Sequence, residues 1–306
     1  MQRFAVVFSM MSALLVAGCG IDGGGASGVS ITVAGTTVIT TTAESDPGSP
    51  VLTTTTSAAQ EADYHVVAIG DSLINPKGHC DGCTGFIDQF TTHVGETVGR
   101  TAVFNTVKAG GVPEAQKALT SDDQAKALVG AADVVVVEVG GNNALPDPET
   151  GIGCAGSMSG GYIPWMLTTN DECLAQGVTT YGQLYDEIFA SVKELRAGQP
   201  TVYIATNSIN GNIDPSISDG LLGVAGDRVD EVRAWAVAAY DRWNTMLAER
   251  AAAAGFVVVD IYHEFNGPAG DRPSGSLTAD GTHPSQNGHD VIAGKLAEVD
   301  LGAVAG

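Results

Sequence analysis

Three side chains that can together activate a hydroxyl group for acyl transfer occur in two short segments, far apart in this chain. Ser72 lies in a Gly-Asp-Ser-Leu segment, and Asp280 precedes His283 by three residues near the C-terminal end. A serine hydroxyl is a weak nucleophile until a neighbouring base takes its proton, and histidine can do so near neutral pH. A carboxylate three residues before the histidine can orient the imidazole from its other side. We therefore expect Ser72 as nucleophile, His283 as general base and Asp280 as the orienting carboxylate.

Acyl transfer also requires hydrogen-bond donors for the oxyanion of its transition state. Gly110 begins a Gly-Gly pair, and Asn142 lies in a Gly-Gly-Asn-Asn segment. A glycine backbone can approach a substrate closely because no side chain intervenes. We expect the N–H groups of Ser72 and Gly110 and the side-chain amide of Asn142 to form an oxyanion hole. The sequence leaves open whether Gly110 or Gly111 supplies the backbone donor, and the spacing favours Gly110.

Each candidate except the Asp-x-x-His segment follows a short run rich in Val and Ile. These runs lie at 65–69, 101–107, 133–139, 201–206 and 256–262. Near-continuous apolar runs are typical of parallel strands that are covered on both faces, and segments with helical spacing separate them. The alternation predicts an α/β fold with one catalytic domain, a three-layer α/β/α sandwich around a central parallel five-stranded sheet. Ligands bind at the carboxyl ends of such strands, so the candidate residues should meet at one edge.

In order and spacing, these segments resemble the sequence blocks of the SGNH (GDSL-like) hydrolase family. The matching segments are Ile-Gly-Asp-Ser-Leu at 69–73, Asn105 with Gly110, Gly-Gly-Asn at 140–142, and Asp-x-x-His-Pro at 280–284. A lone Gly-Asp-Ser occurs by chance in many chains. Four segments in order, each expected at the same edge of a sheet, are a far more specific signal.

The resemblance covers residues 65–299 and implies a flavodoxin-like sheet with esterase, lipase or thioesterase activity. It departs from the family at Asn143, where the third block commonly ends in Asp, so the hydrogen bonding at this position is in question. We expect a monomeric enzyme that hydrolyses small-molecule or lipid carboxylic esters through an acyl-enzyme. Two alternatives stay open: a carbohydrate O-deacetylase on the same fold, and a surface binding protein that has lost catalysis.

The N-terminal segment predicts export. An apolar run at 4–17 is short for a membrane span and ends in small residues, as an export signal does. Its Val-Ala-Gly-Cys ending resembles a bacterial lipoprotein box, in which the cysteine is lipidated. We expect a signal peptide at 1–18, a lipidated Cys19 with a flexible Gly/Ser/Thr-rich tether at 19–62, and a hydrolase domain at 63–306. The protein would then be anchored at the outer face of the cell membrane, or secreted if Cys19 is there by chance.

Four cysteines follow Cys19, and an even number in an exported chain indicates two disulfides. Proximity in sequence favours the pairs Cys80–Cys83 and Cys154–Cys173, although other pairings are possible. The second pair would stabilise the fold by about 3 kcal/mol in the chain-entropy description of a cross-linked loop. An alternative for Cys80 and Cys83 is a redox pair, because they lie after a strand and before a helix.

Charge and motif content exclude several classes of partner. A net charge of −21 argues against nucleic acid and against direct adsorption to anionic lipid, so we expect membrane contact only through the lipid anchor. The other histidines lack the His-x-x-x-His spacing of a zinc site, and we expect His263 and His289 to be structural or exposed. The Gly-Gly pair at 140–141 lacks the Lys-Ser/Thr of a phosphate loop. We therefore expect no metal and no nucleotide cofactor.

Overall fold

The computed structural model describes residues 63–144, 171–214 and 228–305, which all belong to one compact unit, Glu61–Gly306. The predicted signal peptide, Cys19, the tether and Cys154 lie outside the described residues. Within these three described ranges, no helix is both long enough and apolar enough to cross a membrane.

Five strands form one parallel sheet in the order β2-β1-β3-β4-β5. The predicted parallel five-stranded sheet is therefore confirmed, including the flavodoxin-like strand order implied by the resemblance. The strands are β1 Tyr64–Gly70, β2 Ala102–Lys108, β3 Val134–Glu138, β4 Val202–Thr206 and β5 Val257–Val259.

Helices connect the strands and cover both faces of the sheet. The α-helices are α1 Phe86–Val98, α2 Val112–Ser121, α3 Asp123–Gly130, α4 Asp171–Leu195, α5 Val229–Ala253, α6 Tyr262–Asn266 and α7 Gln286–Ala297. Short 3₁₀ helices follow the carboxyl ends of β1, β3 and β4, at Ser72–Ile74, Gly141–Asn143 and Gly211–Ile213.

Successive side chains of β1 enter two separate hydrophobic cores. Val67 and Ile69 pack in the core formed with α2, α3, α4 and α5. Val66 and Ala68 pack in the other core, with α1 and α7. All four side chains are fully buried, which explains why the strand is apolar at every position from Val66 to Ile69 rather than at alternate ones. The predicted three-layer sandwich is confirmed.

The prediction was wrong about the length of the fifth strand, because β5 ends at Val259 rather than at 262. The side-chain oxygen of Asn207 accepts the N–H groups of Ile261 and Tyr262, at 2.8 Å each. These bonds occupy donors that a longer strand would offer to the ladder, and the chain turns into α6. The apolar composition of the run did not reveal the turn, since Ile261 and Tyr262 are buried in helical rather than extended backbone.

The strand order changes direction at β1, because β2 lies on one side of this strand and β3 on the other. Between such strands the connections leave towards opposite faces, and a crevice opens at their carboxyl ends. Ser72 follows β1 and Asn142 follows β3. The fold therefore places two of the predicted site residues at this crevice.

His289 should make the domain less stable at acidic pH. The side chain is 1% exposed, its Nδ1 accepts the Phe86 N–H at 3.3 Å, and burial lowers the pKa of the imidazole more than Asp290 raises it. The unfolded state therefore takes up a proton first as the pH falls below the ordinary histidine pKa. Between the pKa of His289 in the unfolded state and its lower pKa in the folded state, the free energy of unfolding falls by at most about 1.4 kcal/mol per pH unit.

Urea unfolding of the wild type and of His289→Gln, at about pH 7.5 and about pH 5.5, measures this contribution. The glutamine oxygen can still accept the Phe86 N–H but has no titratable group. We expect the free energy of unfolding to fall less on acidification in the variant. An equal fall in both proteins would contradict the role assigned to His289.

Candidate active site

Ser72, His283 and Asp280 form a continuous chain of hydrogen-bonding distances. Nε2 of His283 lies 2.9 Å from Oγ of Ser72, and Nδ1 lies 2.8 Å from Oδ2 of Asp280. With its proton on Nδ1, the imidazole donates to the carboxylate and accepts from the serine hydroxyl. This arrangement lets His283 take the hydroxyl proton while Asp280 stabilises the resulting imidazolium.

Local backbone contacts orient Asp280. Its Oδ1 accepts the N–H groups of His283 at 2.7 Å and Thr282 at 3.0 Å, which leaves Oδ2 for the imidazole. Partial burial alone would raise the pKa of the Asp280 carboxyl, but these N–H groups and the His283 ring together hold it below its ordinary value. The carboxylate is therefore ionised at neutral pH and can face the imidazole as an anion.

Ser72 begins a 3₁₀ helix that Asp71 caps directly after β1. Oδ1 of Asp71 accepts the Leu73 N–H at 3.1 Å. Burial raises the pKa of the Asp71 carboxyl, although the N–H groups of Leu73 and Gly140 act in the opposite direction. Asp71 thus holds the turn that presents Ser72 and has no hydrogen bond to His283.

The predicted oxyanion donors lie beside Ser72. Asn142 donates through Nδ2 to the carbonyl of Gly110 at 3.1 Å and to Oδ2 of Asp71 at 3.4 Å. Gly110 is exposed and lines a cavity together with Ser72. Gly111 is buried, and a Cβ there would lie 2.4 Å from Oδ1 of Asn143. The structure therefore favours Gly110 over Gly111 as the residue that faces a substrate.

Asn143, the position that departs from the family pattern, links the turn after β3 to helix α2. Its Oδ1 accepts the Val112 N–H at 2.8 Å, and its Nδ2 lies 3.3 Å from the hydroxyl of Tyr181. Val112 is the first residue of α2, so Asn143 satisfies one of the N–H groups that a helix start leaves without a partner. A side-chain amide oxygen can perform this role as a carboxylate would.

His79 stacks on His283, with ring centroids 3.5 Å apart and planes inclined by 13°. The sequence analysis assigned no role to His79, although this residue lies in the loop after β1, where site residues are expected. Potential ligand atoms of His79, Asp280 and His283 lie within 4.8 Å of one another. However, lone pairs of near-parallel rings do not converge on one point, and both nitrogens of His283 already face Ser72 and Asp280. The cluster therefore fits a stacked support for His283 better than a metal site.

Glu138, the last residue of β3, is a second site residue that the sequence analysis missed. It is 3% exposed, and its Oε2 has no hydrogen-bond partner among the described residues. Burial and the nearby Asp71 carboxylate raise the pKa of Glu138 well above its ordinary value, and the Asp71 N–H offsets this only in part. Its side chain fills the space beside Gly70, where a Cβ would lie 2.8 Å from Oε2. A carboxyl group inside an otherwise apolar run was the available signal.

Asp260 and His263 repeat the Asp-x-x-His spacing of Asp280 and His283. Nδ1 of His263 lies 2.6 Å from Oδ2 of Asp260, and its N–H donates to Oδ1. The side chain of His263 is 46% exposed and faces no serine among the described residues. Its expected position as a structural or exposed histidine is confirmed.

A disulfide joins Cys80 and Cys83 in the loop that carries His79. Cys173 is also disulfide-bonded, and Cys154, its predicted partner, lies outside the described residues. The loop after β1 is thus cross-linked directly after His79.

Two cavities adjoin Ser72, with volumes of about 360 Å³ and about 250 Å³. Asp71 and Ser72 line both of them. The larger cavity is further lined by Asn75, Lys77, His79, Lys108, Ala109 and Gly110. The smaller one includes Asn142, Ile209, Asn212, Tyr240 and Thr282.

Residues 68–291 match the sequence profile of the GDSL-like Lipase/Acylhydrolase family. The chain belongs to this family. The resemblance inferred from the four sequence segments is therefore confirmed, and it identifies a protein of a hydrolase family. Comparison with curated protein sequences gives no significant match.

Solved structures with the same fold include members of the lipase class. This GDSL-like family member resembles the lipase Lip_vut3 from a goat rumen metagenome, with a TM-score of 0.58 and 19% identity over 79% of this chain and 98% of that chain. It also resembles a protein described as a GDSL-like lipase from Parabacteroides merdae, with a TM-score of 0.50 and 15% identity over 77% and 94% of the two chains. At these identities the likeness concerns the fold.

Two replacements of Asn143 test whether the acceptor oxygen of its side chain stabilises the start of α2. Asn143→Ala leaves the Val112 N–H without its acceptor and should cost about 1 kcal/mol in the free energy of unfolding. Asn143→Asp keeps an acceptor and places a negative charge at the start of α2, so its stability should stay within about 0.5 kcal/mol of the wild type or exceed it. Urea unfolding measures both variants. A wild-type stability in Asn143→Ala would mean that this contact does not hold the start of α2.

Proposed function

We propose that this protein hydrolyses carboxylic esters through an acyl-enzyme on Ser72. The observation that carries the proposal is the arrangement of Ser72, His283 and Asp280 at successive distances of 2.9 and 2.8 Å. Membership in a lipase and acylhydrolase family supports the same reaction class. The Ser72 side chain is neither buried nor fully exposed, and it opens onto two cavities that can hold the two halves of an ester.

In the proposed reaction, Oγ of Ser72 attacks the ester carbonyl while Nε2 of His283 takes the hydroxyl proton. The tetrahedral intermediate collapses when His283 returns this proton to the leaving alcohol. Water then attacks the acyl-enzyme with the same base, which releases the acid and restores Ser72. Asp280 keeps its negative charge throughout and stabilises the imidazolium in both steps.

The oxyanion would bind to the N–H groups of Ser72 and Gly110 and to Nδ2 of Asn142. In the structure, Asn142 donates to the Gly110 carbonyl and to Asp71. The substrate oxygen would therefore replace one of these acceptors. Because its existing contacts already hold the amide beside Ser72, little reorganisation is needed when charge develops on the substrate.

A carbohydrate O-deacetylase is the second candidate function. The lining of the smaller cavity combines the apolar side chains of Leu73 and Ile209 with several polar groups. These are the side-chain amides of Asn142 and Asn212 and the hydroxyl groups of Tyr240 and Thr282. Hydroxyl and amide groups suit a sugar alcohol better than a long alkyl chain. The length of the preferred acyl group separates this function from that of a lipase.

We also propose that the protein acts outside the cytoplasm, lipid-anchored through Cys19 or secreted. The N-terminal apolar run with its Val-Ala-Gly-Cys ending supports this location. The Cys80–Cys83 disulfide supports it as well, because disulfides persist mainly in oxidising compartments. Labelling with radioactive palmitate, compared between the wild type and Cys19→Ser, tests the anchor.

Replacement of the nucleophile tests the central proposal. Ser72→Ala should remove hydrolysis of 4-nitrophenyl esters across the series from acetate to palmitate, because Ser72 is the hydroxyl residue that contacts His283 among the described residues. The fold should be unaffected, as judged by circular dichroism and thermal unfolding. A wild-type rate in Ser72→Ala would exclude Ser72 as nucleophile. Absence both of turnover and of labelling of the wild type by a fluorophosphonate would favour a binding protein without catalysis.

Loss of the Asn142 amide should slow the reaction without removing it. Asn142→Ala is expected to lower kcat about 10²-fold, with a smaller effect on KM, as oxyanion donors do in related chemistry. Asn142→Asp keeps the size of the side chain but not its donor, so its kcat should fall at least as far. An unchanged kcat in Asn142→Ala would show that this amide does not face the oxyanion.

A further inference from the structure

The larger cavity beside Ser72 carries two lysines, although the chain as a whole is strongly acidic. Lys77 and Lys108 both line this cavity of about 360 Å³, whereas the whole chain has only 14 basic residues and a net charge of −21. The negative surface charge is sufficient to keep the protein soluble, so solubility does not require these lysines. Two cations next to the candidate nucleophile therefore indicate a function at the site.

Neither lysine is neutralised by the protein itself. Among the described residues, Lys77 and Lys108 form no ion pair with a carboxylate, and both side chains are exposed. Ion pairs occupy other basic residues, namely Lys126, Arg228, Arg233, Arg242, Arg250 and Lys295. The ammonium groups in the cavity thus keep their hydrogen-bond donors for a ligand.

The backbone holds both lysines at fixed positions around the site. The Lys77 N–H donates to Oδ1 of Asn75 at 3.1 Å, and the cross-linked segment that begins at Cys80 follows three residues later in the same loop. Lys108 is the last residue of β2 and lies in register with Gly70 of β1, two residues before Ser72. One lysine thus follows β1 and the other ends β2, so two separate elements bring the charges to one cavity.

Of the described residues that line the larger cavity, Asp71 alone is acidic, so the two lysines outnumber it. The oxygens of Asp71 accept the Leu73 N–H and face Nδ2 of Asn142 rather than either lysine. Of the described residues that line the smaller cavity, none is basic. Among the described residues that line the two cavities, lysine and arginine therefore occur only in the larger one.

We propose that the esters hydrolysed at Ser72 carry a carboxylate or phosphate group, which binds to Lys77 and Lys108 in the larger cavity. This inference rests on the proposed ester hydrolysis and adds the charge class of the substrate. Ammonium groups donate strong hydrogen bonds to anionic oxygens. They also offset, close to the site, the repulsion between an anionic substrate and the acidic surface. At about 0.1 M salt, the repulsion from charges more than about 10 Å away is largely screened.

Two pairs of esters, each differing by one anionic group, test the proposal. The first pair places the charge on the acyl side: 4-nitrophenyl hydrogen adipate against 4-nitrophenyl hexanoate. The second places it on the alcohol side: 1-hexanoylglycerol 3-phosphate against 1-hexanoylglycerol, with release of hexanoate measured. We expect kcat/KM to be about tenfold higher for the anionic ester of at least one pair, as two charge contacts allow. The pair that shows the preference identifies which half of the ester lies against the lysines.

The lysines should account for this preference. In the double variant Lys77→Gln/Lys108→Gln, the ratio of kcat/KM for the anionic ester over the neutral one should fall about tenfold, with intermediate ratios in the single variants. Lys117→Gln serves as control, because Lys117 is an exposed lysine on α2 that does not line the cavity. It changes the net charge by the same amount as either single variant and should keep the wild-type ratio. Raising the ionic strength from about 0.01 to about 0.5 M should reduce the wild-type ratio.

Equal kcat/KM within both pairs, together with Ser72-dependent hydrolysis of the neutral esters, would overturn the inference and leave the proposed function intact. A preference that persists in the double lysine variant would also overturn it. Failure to hydrolyse any of the four esters would count against the proposed function itself, and against the inference that rests on it.

Discussion

The central position of β1 is the constraint on which the rest of the structure depends. Its pairing with β2 and β3 aligns the carboxyl ends of three strands, and its burial from Val66 to Ile69 fixes it between two hydrophobic cores. Because the sheet and both helical layers hold this strand, the turn that follows it has little freedom to move. Ser72, Gly110 and Asn142 reach one crevice through this alignment, since each follows one of these three strands.

A group of polar side chains supports that turn from within the protein. Glu138 is buried and its pKa is raised, Asp71 receives backbone N–H groups, and Asn142 contacts Asp71 from the neighbouring turn. Burying two carboxyl groups side by side costs free energy, which hydrogen bonds only partly offset. Buried carboxyl groups with shifted pKa values are found more often at functional sites than in parts of a protein that serve stability alone.

The two Asp-x-x-His segments show why local spacing alone does not define a site. Asp280 with His283 and Asp260 with His263 have the same contacts between carboxylate, imidazole and backbone. Within the part of the chain that the structure describes, His283 but not His263 lies at hydrogen-bonding distance from a serine, 211 residues away in sequence. The local contacts orient an imidazole in either case, whereas the packing of α7 and the preceding loop against the rest of the domain decides what that imidazole faces.

The sequence by itself determined the fold class, the strands except the extent of β5, and the residues proposed for catalysis. It could do so because apolar runs report burial, and because chemically capable residues followed them in a recognisable order. Only the tertiary structure brought His79 onto His283, placed the Glu138 side chain beside Gly70, and collected Lys77 and Lys108 in one cavity. These relations join loops and strand ends that are distant or unremarkable in sequence, and they arise from side-chain packing, which no local pattern encodes.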